Sequence, residues 1–155
     1  MTKEQARDLN AEENSFIPNS HRYNVVELNT ADTSALIALP GIGSKLAQRI
    51  INFRDKLGGF NTVNQVGETY GLPDSTFQKI KQYIRTNPSA INKININTAS
   101  VEELKTHPYI KWNLANPIIA YRKEHGLFAK IEDLKKVMVV TDEVYSKIAP
   151  YLTVQ

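Results

Sequence analysis

Apolar residues along this chain fall in short bursts at helical spacing, divided by turns rich in glycine and proline. Between Ser44 and Leu57 they stand at Leu46, Ala47, Ile50, Ile51 and Phe53, the three-to-four spacing of one helix face. Gly58-Gly59 ends that run. Upstream, Thr30 or Asp32 caps a first helix reaching about Ala38. Leu39-Pro40-Gly41-Ile42-Gly43 must then turn, because a proline and two glycines do not sit inside a helix. Val63 and Val66 mark a third, short helix, and Tyr70-Gly71-Leu72-Pro73 is a second turn. Asp74 is expected to cap a fourth helix through about Arg85, with Phe77, Ile80, Tyr83 and Ile84 on its inner face. No segment shows sustained strand alternation. The pattern therefore predicts an all-α chain.

The same plan occurs twice. A shift of 68 residues aligns Val26–Ile84 with Ile94–Leu152 without a gap, giving 17 identities over 59 positions. Asn29-Thr30-Ala31 falls on Asn97-Thr98-Ala99, Pro40 on Pro108, and Ile42 on Ile110. Leu46, Ala47, Ile50 and Ile51 fall on Leu114, Ala115, Ile118 and Ile119, while Arg54, Gly58 and Phe60 fall on Arg122, Gly126 and Phe128. Matches at helix-spaced apolar positions indicate a duplicated structural unit. The organisation read from this is a polar arm or tether over residues 1–25, repeat 1 over 26–86, a linker over 87–93, and repeat 2 over 94–155. In repeat 2, Ser100-Val101-Glu102-Glu103 reads as a capping box, and Thr141 precedes the last helix.

Composition narrows the function classes. Hydrophobic residues make up 41% of the 155, enough for a packed core, and there is no cysteine, hence no disulfide or thiolate metal site. His21, His107 and His125 show no ligand spacing. No nucleophile–base pattern, phosphate-binding Walker loop or nuclease-type metal cluster is present, so the chain reads as a non-enzyme without a small-molecule substrate. Net charge is +3. The arm carries three basic and four acidic residues, residues 26–90 seven and five, and residues 91–155 nine and seven. Both repeats are thus mildly basic, which favours a polyanionic partner only slightly. The N-terminal residues are polar, unlike a signal peptide, and no apolar run approaches the roughly 18 residues that span a bilayer.

The first turn carries the sharper signal. In Pro40-Gly41-Ile42-Gly43-Ser44-Lys45, two glycines bracket one apolar residue just before a helix. Glycine permits a sharp turn and close approach of a ligand to the main chain. The N–H groups of the turn and of the helix's first turn lack intrahelical partners, and the helix dipole adds partial positive charge there. Lys45 and Arg49, one turn apart, can reach the same phosphate track. Such contacts position a protein without reading sequence. The predicted contact set is Gly41, Ile42, Gly43, Ser44, Lys45 and Arg49, with Gly71 and Leu72 from the second turn. Gly41→Val and Lys45→Glu are each expected to weaken binding without unfolding the chain. Arg54 and Arg122, which recur, lean to a structural role.

These residues resemble the helix-hairpin-helix motif of DNA-binding proteins. The wider pattern of Asn29-Thr30-Ala31, Leu36, Leu39 to Gly43, Ala47, Ile50, Phe53-Arg54, Gly58 and Phe60 is similar to the ComEA-type DNA-uptake proteins. The resemblance implies two tandem (helix-hairpin-helix)2-like four-helix repeats, SAM-domain-like and packed side by side. It implies hairpins that grip the duplex backbone across the minor groove, with Tyr70-Gly71-Leu72-Pro73 as the paired second hairpin. It also implies a monovalent cation held by the carbonyls of Leu39 and Ile42, no other cofactor, and a setting in DNA uptake or DNA repair. Members are often membrane-tethered outside the cytoplasm; the compartment of this chain is left open.

Repeat 2 departs from that pattern. His107-Pro108-Tyr109-Ile110-Lys111 loses both glycines, Trp112 replaces Ser44, and Pro117 replaces Arg49 inside the expected helix, implying a kink or a later helix start. The expectation is that repeat 2 keeps the fold and loses the phosphate site. Tyr109, Lys111 and Trp112 could then form an interaction surface for a protein or for bases, or pack against the neighbouring repeat. The leading reading is sequence-independent double-stranded DNA binding through repeat 1. The alternatives are a protein-interaction or assembly module that has lost DNA binding, and a targeting domain of a larger repair enzyme.

Overall fold

The computed structural model describes residues 23–155. His21 and all but the end of the arm expected over residues 1–25 lie outside the described residues. Repeat 1 comprises β1 (Val26–Glu27), α1 (Thr33–Ile37), α2 (Ser44–Leu57), a 3-10 segment (Val63–Glu68), α3 (Asp74–Ile80) and β2 (Ile84–Arg85). Repeat 2 repeats the order with β3 (Ile94–Asn95), α4 (Val101–Lys105), α5 (Lys111–His125), a 3-10 segment (Ile131–Lys136), α6 (Asp142–Ile148) and β4 (Leu152–Thr153). The architecture is the all-α tandem repeat expected, with small additions.

Those additions correct the sequence reading. In each repeat the first and last residues pair as a two-residue parallel ladder, Val26 opposite Ile84 and Ile94 opposite Leu152. The third helix is 3-10 throughout. The fourth stops at Ile80, passes through a 3-10 turn, and is extended by Ile84. Pro73, not Asp74, is its N-cap residue. Among the described residues, Ser100 accepts from the Glu103 N–H at 3.1 Å without the reciprocal bond that would complete a capping box. The reciprocal arrangement lies instead at Thr62 and Gln65, where Gln65 Oε1 accepts from the Asn61 and Thr62 N–H groups at 2.6 and 2.9 Å. Helix α5 starts at Lys111, one position earlier than its counterpart and not later, and Pro117 lies inside it.

The residues that recur at the 68-residue shift do the same work twice. Arg54 Nη1 donates to the carbonyls of Leu28 and Ala31, and Arg122 Nη1 to those of Ile96 and Ala99. Each arginine ties the long helix to the loop before the first helix, a structural role that satisfies buried carbonyls. Asn29 brackets the backbone of Phe60, donating to its carbonyl and accepting from its N–H, and Asn97 does so for Phe128.

Each repeat has its own apolar core, around Leu28, Ile50, Phe60 and Ile80 in the first and Ile96, Ile118, Leu134 and Ile148 in the second. Tyr151 of repeat 2 is fully buried in the core of repeat 1. Its hydroxyl accepts from Gln65 Nε2 at 2.7 Å, so the buried polar tip is satisfied. The repeats therefore share an interface closed by apolar packing and specific hydrogen bonds.

Candidate nucleic-acid interface

The hairpin between α1 and α2 is a type II turn. The Ile42 N–H donates to the Leu39 carbonyl at 3.3 Å, Pro40 occupies the second position, and Gly41 the third with φ +81°. Ile42 is buried and anchors the loop. Gly43 is the N-cap of α2 and offers no side chain to cover the helix's first amides. Among the described residues, the N–H groups of Gly41, Gly43, Ser44 and Lys45 have no hydrogen-bond acceptor. All four residues are exposed. The result is an open cluster of donors at the positive end of a 14-residue helix.

Gly43 is informative because nothing among the described residues asks for a glycine there. Its φ is −95°, which any residue adopts. A methyl group at this position would meet nothing within 4 Å among the described residues. The clearance opens away from the described residues, beside the free amides.

The hairpin between the 3-10 segment and α3 copies the first. The Leu72 N–H donates to the Thr69 carbonyl at 3.1 Å, Gly71 has φ +81°, and Leu72 is buried. The two hairpins pack crosswise. A methyl group on Gly41 would touch Thr76 Cγ2 of α3 at 3.0 Å, while Gly71 lies directly against the Arg49 guanidinium of α2. Arg49 is thus drawn from the first hairpin toward the second, 5.0 Å from the centroid of the exposed Tyr70 ring.

Two expectations change here. Ile42 and Leu72 do not offer amides to a ligand, because both N–H groups are spent within their turns; they act as anchors. The second hairpin opens into Asp74, an exposed carboxylate that disfavours an anion, whereas the first opens into Ser44 and Lys45. The Leu39 carbonyl accepts one N–H and keeps a second lone pair, which suits the cation that the resemblance implies.

In repeat 2 the equivalent turn is closed upon itself. The Tyr109 N–H donates to His107 Nδ1 at 3.1 Å, and the Ile110 and Lys111 N–H groups both donate to the His107 carbonyl at 3.0 Å. All three amides of the turn are consumed, against one in repeat 1. Lys111 adopts φ +50°, the left-handed region costly for a side chain, at a position offset from the glycine of the first turn.

The interaction surface expected at Tyr109, Lys111 and Trp112 divides. Tyr109 faces the junction between repeats and is not an open contact residue. Its hydroxyl accepts from Gln65 and donates to Glu68 at 2.9 Å, Lys147 lies over its ring, and burial pushes its phenol pKa up. Lys111 is exposed, and Trp112 is 64% exposed. Met138, at the place of Tyr70, is 94% exposed.

Sequence reasoning passed over His107. It is 2% exposed, and its Nε2 lies 2.9 Å from the Leu57 carbonyl of repeat 1. With Nδ1 accepting from Tyr109, Nε2 carries the proton and donates. Burial lowers its pKa from 6.5 to about 4, only partly offset by the bond to Leu57. Its substitution for Leu39 at a core position was the available signal. Among the described residues there is no group of three or more histidines, aspartates or glutamates placed to hold a metal ion, and no helix is long and apolar enough to cross a membrane.

A family model described as the helix-hairpin-helix motif matches the chain twice, over residues 21–85 and 89–153. The chain is 30% identical over 152 residues to endonuclease/exonuclease/phosphatase family domain-containing protein 1 of Danio rerio, covering 86% of this chain and 27% of that protein. Against the protein of the same name from Homo sapiens it is 25% identical over 152 residues, covering 79% and 26%. It is 42% identical over 62 residues to ComE operon protein 1 of Bacillus subtilis, covering 40% of this chain and 30% of that protein. The chain therefore spans only about a quarter of the full-length relatives that match both repeats.

Proposed function

The chain belongs to the helix-hairpin-helix family, and on that premise we propose that it holds double-stranded DNA by the phosphate backbone, without reading sequence, through the first hairpin of repeat 1. A phosphate oxygen beside Gly43 would accept from the free amides of Gly41, Gly43, Ser44 and Lys45, with the Lys45 ammonium and Arg49 guanidinium adding charge. The second hairpin would contribute through Gly71 and through Arg49, which spans both turns. None of these donors addresses a base edge, so the grip is indifferent to sequence. Repeat 2, with its turn amides spent internally, would brace repeat 1 across the shared interface.

One observation carries this reading: free amides beside a glycine whose absent side chain serves nothing among the described residues. It also separates the reading from that of an assembly module without DNA, which would gain nothing from keeping those amides uncovered. In this reading the two repeats bind and perform no chemistry. Whatever catalysis the name of the longer relatives denotes would belong to their other parts. DNA uptake and DNA repair, the two settings that the resemblance implies, both call for such a grip.

The test is a fluorescence-anisotropy salt titration on two duplexes of equal length and unrelated sequence. Neutralising two or three phosphates gives a slope of log affinity against log salt of about −2 to −3, with dissociation constants near the micromolar range at physiological salt. The two duplexes should bind alike, and Lys45→Glu should weaken both equally. Absence of binding at about 50 mM salt, or strong discrimination between the sequences, would overturn the proposal.

A further inference from the structure

A groove of about 340 Å³ runs beside the second hairpin, lined by Arg49, Asn52, Phe53, Lys56, Glu68 and Tyr70. Tyr70 forms one wall and is 82% exposed, an unusual placement for so large a ring. The Arg49 guanidinium lies 5.0 Å from its centroid and steadies it. Glu68 lines the same groove, yet its carboxylate accepts from the Tyr109 hydroxyl. Among the described residues no carboxylate lies within ion-pair distance of Arg49 or Lys56. Lys45, Arg49, Asn52 and Lys56 follow one another at helical spacing along one face of α2, a polar and basic stripe about 16 Å long leading from the first hairpin past the groove.

We propose that this groove receives an unpaired nucleobase of a DNA strand whose duplex part lies on the first hairpin. This rests on the reading of repeat 1 as the DNA-binding surface. A flat aromatic wall, a guanidinium plane and the Phe53 ring suit the face of a base, and every base has such a face. Lys45 and Lys56 hold the phosphates on either side. A base within an intact duplex is stacked and paired and cannot enter, so the occupant comes from an overhang, a gap or a frayed end. The groove belongs to repeat 1 alone. The corresponding positions of repeat 2 are Pro117, Ala120, Tyr121, Glu124, Lys136 and Met138, which lose the arginine and the ring at the hairpin and reverse two charges.

The experiment compares a blunt duplex with the same duplex bearing a short single-stranded overhang, by anisotropy, with 2-aminopurine in the overhang as a stacking reporter. The unaltered protein should bind the overhang substrate roughly five- to tenfold tighter and quench the 2-aminopurine emission. Tyr70→Ala, at a residue too exposed to matter for folding, should abolish the preference and the quenching while leaving blunt-duplex affinity within about twofold. Tyr70→Phe should retain both effects. Equal binding of the two substrates by the unaltered protein, or a preference that survives Tyr70→Ala, overturns the groove proposal and leaves the duplex reading standing. Binding of overhang DNA with no binding of blunt duplex overturns the duplex reading and supports the groove.

Discussion

His107 donates from Nε2 to the carbonyl of Leu57 at 2.9 Å, across the junction of the two repeats and out of reach of solvent. The bond caps a carbonyl in the last turn of α2, and the same ring accepts the Tyr109 N–H that would otherwise stand free in the degenerate hairpin. One substitution relative to Leu39 thus adds a bond between the repeats and occupies one amide of the degenerate turn of repeat 2.

This arrangement makes the chain sensitive to acid. The imidazole stays neutral in the folded chain down to about pH 4, whereas in the unfolded chain it takes up a proton near pH 6.5. Between these values the unfolded state binds more protons, so stability falls as pH falls. The His107 contribution is complete above pH 6.5, and about 3 kcal/mol of it is gone by pH 4. Urea unfolding at pH 7.5, 6, 5 and 4.5 should show this decline, and His107→Leu, the residue of repeat 1 at this place, should flatten it. An equally steep decline in His107→Leu would contradict the assignment.

Gly41 and Gly43 should respond differently to alanine. At Gly41, φ +81° and a Thr76 methyl only 3.0 Å from the added carbon make any side chain strained. Gly41→Ala should cost about 1–2 kcal/mol of stability as well as affinity. A larger residue such as valine at this position therefore mixes a loss of stability with any loss of affinity. At Gly43 there is neither strain nor contact. Gly43→Ala should leave the melting temperature within about 2 °C and reduce duplex affinity several-fold. Thermal melts alongside anisotropy would expose a wrong ordering.

Much of this was legible beforehand. The 68-residue shift, the span of α2 and the punctuation of the first hairpin follow from residue types that allow little else: Pro40 and Gly41 build one turn, and Gly58 ends one helix. The persistence of Arg54 as Arg122, where the hairpin has changed, correctly pointed to a structural role. The rest was hidden for physical reasons. Two-residue strands such as Val26–Glu27 are too short to alternate and form only because the ends of a repeat meet. Gln65 and His107 look like ordinary polar residues in sequence, and their importance comes from an interface between repeats that no local pattern encodes. For Tyr109 the sequence left an open contact surface and packing against the neighbouring repeat as alternatives, because no local pattern shows which way its loop faces; it faces the neighbouring repeat.

Thr69 offers a stability test within the second hairpin. Its hydroxyl is buried and, among the described residues, has no hydrogen-bond partner. Repeat 2 carries Val137 at this place, fully accommodated. Thr69→Val should therefore be neutral or stabilising by up to about 1 kcal/mol, since it removes an unsatisfied polar group while preserving shape. Denaturant unfolding would reveal the opposite sign if the hydroxyl has a partner in solution.

Trp112 bears on the role of repeat 2. It is exposed on the side of that repeat that corresponds to the first hairpin of repeat 1, but the three turn amides before it, at Tyr109, Ile110 and Lys111, are spent. Trp112→Ala should leave duplex affinity within about twofold. A tenfold loss by anisotropy would place repeat 2 in the DNA contact.

The central claim concerns individual amide groups, and backbone NMR reads them one by one. On titration of the 15N-labelled chain with a short blunt duplex, the largest amide-proton shifts should fall on Gly41, Gly43, Ser44 and Lys45, with Tyr109, Ile110 and Lys111 unmoved because their N–H groups are already bonded. Shifts centred on repeat 2, or silence at Gly43 and Ser44 while DNA binds elsewhere, would contradict the account.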